Sequence, residues 1–241
     1  VLKDEFNGEA TASKLARVRE QMEKEEAQYH IISTLDDIAW ILNVRGNDIP
    51  HVPVVLSFLV IGKEDAMWFV EENALSDAVK EMAAECGITI RPYEDVYAYA
   101  ATIPEHSSVL LDKRKVNYRI TNALSETVHI VSKANPSQLM KAIKNEIELE
   151  NTRKAHLLDG IAVTKFMYWL KKNVGKIPMD EVSVSDYLQS LREQMEGYRD
   201  ISFDTIAGYN ANAAMMHYKA EPDTAAKLEP FLLYTSPSPR D

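Results

Sequence analysis

At 241 residues, with 46% hydrophobic and 27% charged side chains, the chain has enough apolar material for one large or two modest domains and falls outside the disordered and membrane-spanning classes. Lys and Arg total 27 against 37 Asp and Glu, a net charge of −10, which repels polyanions and argues against nucleic acid or an anionic membrane as partner. The single cysteine, Cys86, excludes an internal disulfide, no secretory signal opens the sequence and no apolar run reaches the roughly 18 residues that span a bilayer, so a reducing, cytoplasmic setting is expected.

Leu15, Val18 and Met22 recur at helical spacing among Lys14, Arg17, Arg19, Glu20, Glu23 and Lys24, which predicts a helix over residues 9 to 28 with one apolar stripe on a charged cylinder. Residues 29 to 33 read as a short strand. Asp36 and Asp37 open a brief helix through Trp40 and Leu42, with the Asp36 carboxylate as N-cap for the free amides of the first turn. The apolar runs 54 to 61 and 66 to 70 flank Gly62-Lys63-Glu64-Asp65 and predict a hairpin. Helices near 73 to 85, 94 to 101 and 117 to 124 then alternate with strands at 88 to 91, 109 to 111 and 128 to 131, a pattern that predicts a mixed α/β sheet covered by helices.

The polar stretch from Ser132 to Pro136 marks the internal boundary. Beyond it, Ser137 is expected to cap a helix running to about Asn151. A longer helix follows, with Leu157, Leu158, Ile161, Ala162, Phe166, Trp169 and Leu170 on one face, and ends at Gly175 and Pro178. A further helix over 184 to 196 precedes residues 203 to 206 and 214 to 217, read as paired strands joined by Gly208-Tyr209-Asn210. The last eight residues, from Tyr234, carry no periodicity and are loop-like.

Little of this sequence announces chemistry by itself. There is no Walker P-loop, no GxGxxG turn, no GxSxG elbow, no HExxH and no Cys/His zinc spacing. Cys86 stands in Glu85-Cys86-Gly87 without a basic neighbour and reads as a small structural hydrophobe. Asp36 and Asp37 are adjacent at a helix start, point in different directions, and suit capping better than a metal pair. Glu146, Glu148 and Glu150 do not share a helical face and read as solvated surface. His30, His51, His106, His129 and His156 stand alone, each a surface or hydrogen-bonded core histidine. His217 ends the apolar strand Asn212-Ala213-Ala214-Met215-Met216-His217-Tyr218, where a side chain can face a cleft; the residues alone leave open whether it is functional.

Several blocks, in order, resemble one family. Gly8-Glu9, Lys14-Leu15-Ala16-Arg17-Val18-Arg19, Leu35-Asp36-Asp37-Ile38-Ala39-Trp40-Ile41-Leu42-Asn43-Val44-Arg45-Gly46-Asn47-Asp48-Ile49-Pro50, Lys141-Ala142-Ile143-Lys144-Asn145-Glu146, Arg153-Lys154-Ala155-His156, Trp169-Leu170, Phe203-Asp204-Thr205-Ile206 and the Asn212 to Tyr218 block are similar to the proline-specific aminopeptidases, aminopeptidase P, of the creatinase and methionine aminopeptidase superfamily. The Leu35 to Pro50 block favours the three-domain aminopeptidase over a prolidase or creatinase. A non-catalytic relative that uses the same scaffold to bind a protein or peptide is the other alternative.

The resemblance implies an α/β architecture: a creatinase-type mixed-sheet second domain over residues 1 to 133, with 1 to 10 a linker from a preceding domain, then the first helices and hairpin of a pita-bread (α+β) catalytic domain over 136 to 230. It implies removal of the residue that precedes proline at a peptide N-terminus, by a homodimer using two divalent ions, manganese, in the intact enzyme. His217 matches the histidine that meets the substrate amide and stabilises the departing nitrogen. The family's metal ligands lie beyond Pro230, where this chain departs from the family's Leu-Leu-Val-Asp-Ser-Gly-like strand, so no metal ligand is assigned here and the 241-residue chain is expected to bind no metal and be inactive. Residues 231 to 241 resemble translated sequencing adapter and are expected to be non-native, and the start at Val1 implies missing upstream sequence.

Overall fold

The computed structural model describes residues 1–230; the expectations for residues 231 to 241 lie outside the described residues. The chain forms two compact units, Val1–Glu150 and Asn151–Asp241.

In the first unit, α1 (Asp4–Asn7) and α2 (Thr11–Lys24) precede β1 (Tyr29–Ile32) and α3 (Leu35–Leu42). The hairpin β2 (Ser57–Gly62) and β3 (Ala66–Val70) follows, then α4 (Asp77–Glu85), β4 (Ile88–Arg91), α5 (Asp95–Ala100), β5 (Ser108–Leu111), α6 (Tyr118–Ala123), β6 (His129–Ser132) and α7 (Pro136–Ala142). The six strands form one sheet in the order β4-β3-β2-β1-β5-β6. Pairing is antiparallel around the hairpin, with Ile31 opposite Val60 and Leu59 opposite Trp68, and parallel at both flanks, as at Ala66–Ile88 and Val109–Ile130. The expected mixed sheet is thus present, and each predicted strand up to residue 132 forms within a few residues of its place.

Both faces of the sheet are covered, which explains the unbroken apolar runs of β2 and β3. Because side chains alternate across a strand, Ile32, Leu59, Ile61 and Trp68 pack with α2, α3 and α4 on one face. Ile31, Phe58, Val60, Phe69 and Val109 pack with α5 and α6 on the other. Strand β2 begins later than the apolar run predicts, at Ser57 rather than residue 54, because the Leu56 amide is taken by the Asp48 carboxylate at 2.7 Å. Helix α4 closes on Gly87 at φ 66°, a left-handed residue that costs glycine least.

Three local readings are corrected. Asp36 is not the N-cap of α3; Thr34 holds that extended position, and Asp36 lies in the first turn, paired with Lys141 of α7. Ser137 does not cap either: Asn135 precedes α7, Pro136 occupies its first turn, and Ser137 is buried. The helix does not run to residue 151. It stops at Ala142, and α8 (Glu146–Asn173) starts anew on a reciprocal cap, the Glu148 amide donating to Asn145 Oδ1 at 2.9 Å and the Asn145 amide to Glu148 Oε2 at 3.0 Å. The Ser132 to Pro136 stretch lies inside the first compact unit, because α7 packs against α2 and α3.

Lys14 is the largest departure from the charged-cylinder reading. It is 1% exposed, donates to the Trp40 carbonyl at 3.0 Å and Asn43 Oδ1 at 2.7 Å, and lies 4.3 Å from the Trp40 ring centroid. The Trp40 indole donates in turn to Glu148 at 3.3 Å, so Glu148 is no solvated surface residue. Burial lowers the Lys14 pKa to about 8, against the opposing pull of Glu148 and Glu9.

In the second unit, α8 is followed by α9 (Glu181–Glu193), and Trp169 stacks on Tyr187 with ring centroids 4.0 Å apart. Beyond α9 the described residues contain no strand, only a short 3₁₀ turn at Asn210–Ala214 and a single bridge between Asp180 and Lys227. The hairpin expected over 203 to 217 is absent there. Phe203, Ile206, Met215 and Met216 are exposed, with Met216 at 90%, and an apolar run without a covering layer has no reason to pair as strands.

Phe69→Ala, at a fully buried site against Tyr99, is expected to cost about 3–5 kcal/mol in urea unfolding, whereas Tyr118→Ala, 80% exposed, stays within about 0.5 kcal/mol. Lys14 sheds its proton near pH 8 when folded and at about 10.5 when unfolded, so between these values the unfolded chain binds more protons and stability rises with pH. Urea titrations at both ends of that window are expected to show the rise in the wild type and its loss in Lys14→Met.

Candidate active site

The second unit buries few apolar side chains, and what fixes its irregular segment is polar. Asp180 caps α9 through a reciprocal pair, the Ser183 amide donating to Asp180 Oδ1 and the Asp180 amide to Ser183 Oγ, both at 2.8 Å. The cap sets the next residue, Glu181, inside the fold, only 1% exposed.

Glu181 is a hub for residues far along the chain. Its Oε1 accepts from the Tyr209 amide, and its Oε2 accepts from the Tyr218 hydroxyl at 2.7 Å and the Ala226 amide at 2.9 Å. The Asn212 side-chain amide bridges both oxygens at 3.2 and 3.1 Å and also donates to the Tyr218 hydroxyl at 2.9 Å. The backbone joins in: the Glu181 amide donates to the Ala226 carbonyl at 3.2 Å and the Leu228 amide to Met179 at 2.9 Å. Burial alone would raise the Glu181 carboxyl, but the bonds donated by Tyr218, Ala226, Tyr209 and Asn212 outweigh it and hold the pKa below the usual carboxylate range. The same bond pushes the Tyr218 hydroxyl up to about 12.

His217 lies beside this hub in sequence. It is exposed and holds a left-handed backbone, φ 57°, between the exposed Met216 and the half-buried Tyr218. The other candidates have settled roles. His30 is fully buried in β1, its Nδ1 donating to the Leu110 carbonyl at 2.9 Å, and burial lowers its pKa to about 4. Asp37 is buried and bound by Thr34, Asn135 and Lys141. Cys86 follows α4, and burial and then Glu85 raise its thiol pKa, away from the reactive thiolate. A cavity of about 300 Å³, lined by Leu158, Asp159, Arg192 and Tyr198 among others, does not include His217.

Among the described residues, no group of three or more His, Cys, Asp or Glu is arranged to hold a metal ion, and no helix is long and apolar enough to cross a membrane.

Residues 1–148 match the Creatinase/Prolidase N-terminal domain, and residues 150–236 match Metallopeptidase family M24. The chain belongs to the creatinase/prolidase family. This family member is 34% identical over 240 residues to a probable Xaa-Pro aminopeptidase P of Neurospora crassa, covering 95% of the chain and 35% of the relative. It is 35% identical over 231 residues to Xaa-Pro aminopeptidase 1 of Dictyostelium discoideum, covering 94% and 36%. The crystal structure of an X-prolyl aminopeptidase from Caenorhabditis elegans, described as a cytosolic enzyme with a di-nuclear active site, superposes with a TM-score of 0.88 at 28% identity over 95% of this chain and 38% of that one. The creatinase/prolidase chain thus spans little more than a third of the length of these relatives.

Sequence reasoning singled out His217 and passed over Glu181. Asp180-Glu181 reads as a capping acid with a second acid in the first turn; the pairing of Glu181 with Tyr209, Asn212, Tyr218 and Ala226 spans 28 to 45 residues, beyond any local pattern.

A carboxyl held below its ordinary pKa stabilises the fold fully above the unfolded value and loses that contribution as pH falls through the folded one. The stability gap between wild type and Glu181→Gln, read by urea unfolding, is expected to narrow from about pH 6 to about pH 3.

Proposed function

We propose that this chain is part of an Xaa-Pro aminopeptidase, which removes the N-terminal residue preceding proline from peptides. Likeness to the Caenorhabditis elegans X-prolyl aminopeptidase across nearly the whole chain carries this reading; the identity to named Xaa-Pro aminopeptidases supports it. Residues 1–148 are then the creatinase-type second domain, and the catalytic domain opens from residue 150, later than the polar stretch at Ser132 to Pro136 suggests.

Proline sets the chemical problem. Its imide nitrogen carries no hydrogen and its ring fixes φ, so a peptidase for this bond requires a shaped site and a means to stabilise the departing nitrogen. His217 is the residue of this chain assigned to that nitrogen. Its imidazole carries a ring N–H that can serve as a hydrogen-bond donor or general acid, and its exposed place next to an anchored tyrosine leaves the ring free to meet a peptide. The two divalent ions proposed for the intact enzyme, manganese ions, would supply Lewis-acid chemistry at the carbonyl; the described residues do not fit such a site, so no step is assigned through them. A cytosolic location follows the Caenorhabditis elegans enzyme's description, and a homodimer is proposed on the family resemblance.

The complete enzyme, loaded with manganese, is expected to cleave Xaa-Pro peptides and spare Xaa-Ala peptides, with kcat falling about 10²–10⁴-fold in His217→Ala. The 241-residue chain alone is expected to show no turnover and no manganese-dependent rise in melting temperature, since a ligand stabilises only what it binds. Turnover by the purified 241-residue chain, or indifference of the complete enzyme to proline, overturns the reading.

A further inference from the structure

We propose that Glu181 is the positioning residue for His217, acting through Tyr218, its chain neighbour, and through the amides of Tyr209 and Ala226 that bracket the segment. It deepens, and rests on, the reading of His217 as the group that meets the substrate amide.

The donor count carries the inference. A carboxylate is acceptor-only, with about four lone-pair directions on two oxygens. Four neutral donors converge on Glu181: the Tyr209 and Ala226 amides, the Asn212 side chain and the Tyr218 hydroxyl. No other side-chain type of this length accepts from all four. Burying a charge without an opposite charge beside it is unfavourable unless its lone pairs are filled, and here they are. The bonds close the segment at both ends and at two interior points, so Glu181 fixes the course of the 18 residues from Tyr209 to Ala226 that carry His217.

The backbone of that segment gives an independent reason. His217 sits at φ 57° and Asn210 at φ 53°, left-handed conformations that are uncommon outside glycine, although Asn and His enter them more readily than most, and that nearby bonds help to hold. Tyr218 follows His217 directly and gives its hydroxyl to Glu181. A loosened Tyr218 would let His217 relax toward an ordinary φ and carry its ring away.

Glu181→Gln tests this at constant shape, because the new amide group turns its own hydrogens against the donors. In the 241-residue chain with labelled histidine, the His217 ring resonances, assigned by their loss in His217→Ala, are expected to shift. Exchange of the Tyr209 and Ala226 amides is expected to accelerate about tenfold or more. In the complete enzyme, kcat on an Xaa-Pro peptide is expected to fall about tenfold with KM nearly unchanged, and Glu181→Asp, which keeps the charge, to recover part of the loss. Wild-type resonances and kcat in Glu181→Gln overturn the proposal. Should Glu181→Gln fail to fold, Tyr218→Phe removes one donor and leaves the carboxylate. The same two readouts are expected to move in the same direction, and their constancy overturns the proposal. Full kcat in His217→Ala, with His217 still displaced by Glu181→Gln, leaves the tether standing and defeats the catalytic reading of His217 alone.

Discussion

A single buried carboxylate organises the part of the chain where apolar burial is sparse. Beyond residue 150, the buried hydrophobic residues among those described are Ala162, Met179, Val184 and Leu191, too few to dictate the path of a long irregular segment by packing. Hydrogen bonds to Glu181 do so instead. Hydrogen bonds are directional where hydrophobic contact is not, so this route fixes the segment's geometry with little core. The first unit solves the opposite problem: a sheet buried on both faces needs no polar hub, because alternating side chains already specify register and layer.

This contrast accounts for what the sequence revealed. The strands of the first unit were legible because burial on both faces leaves continuous apolar runs, and burial of one helix face leaves a spacing of three and four. Both signals are local. Thr34 and Asp36, or Asn135 and Ser137, lie two positions apart and share capping chemistry, so the choice between them depends on backbone angles that composition does not carry. The apolar residues of 203 to 217 carried the same signature as a strand, yet pairing also needs a neighbouring strand, and the described residues of the second unit contain none.

The candidate site was legible in a narrower sense. Spacing raised His217 only as a histidine at the end of an apolar run; its role came with the family resemblance. Glu181 had no signal of its own. A carboxylate one residue after an N-cap is ordinary, and its burial arises from donors brought in from Tyr209 onward. The polar residues that matter most here are those whose partners lie tens of residues away, and no pattern within a short window reports them.

The block from Leu35 to Pro50 is held by polar contacts to three other helices. Asp37 binds Asn135 and Lys141 around α7, Trp40 donates to Glu148 at the start of α8, and the Trp40 carbonyl and Asn43 hold the Lys14 ammonium of α2. These are buried or half-buried polar groups with definite partners, and removing one member of such a set leaves the others unsatisfied. Joint dependence of this kind ties residue identities together across α2, α3, α7 and the first turn of α8. The Leu35 to Pro50 block therefore serves the architecture, and the chemistry proposed for His217 draws on a different set of residues, gathered by Glu181.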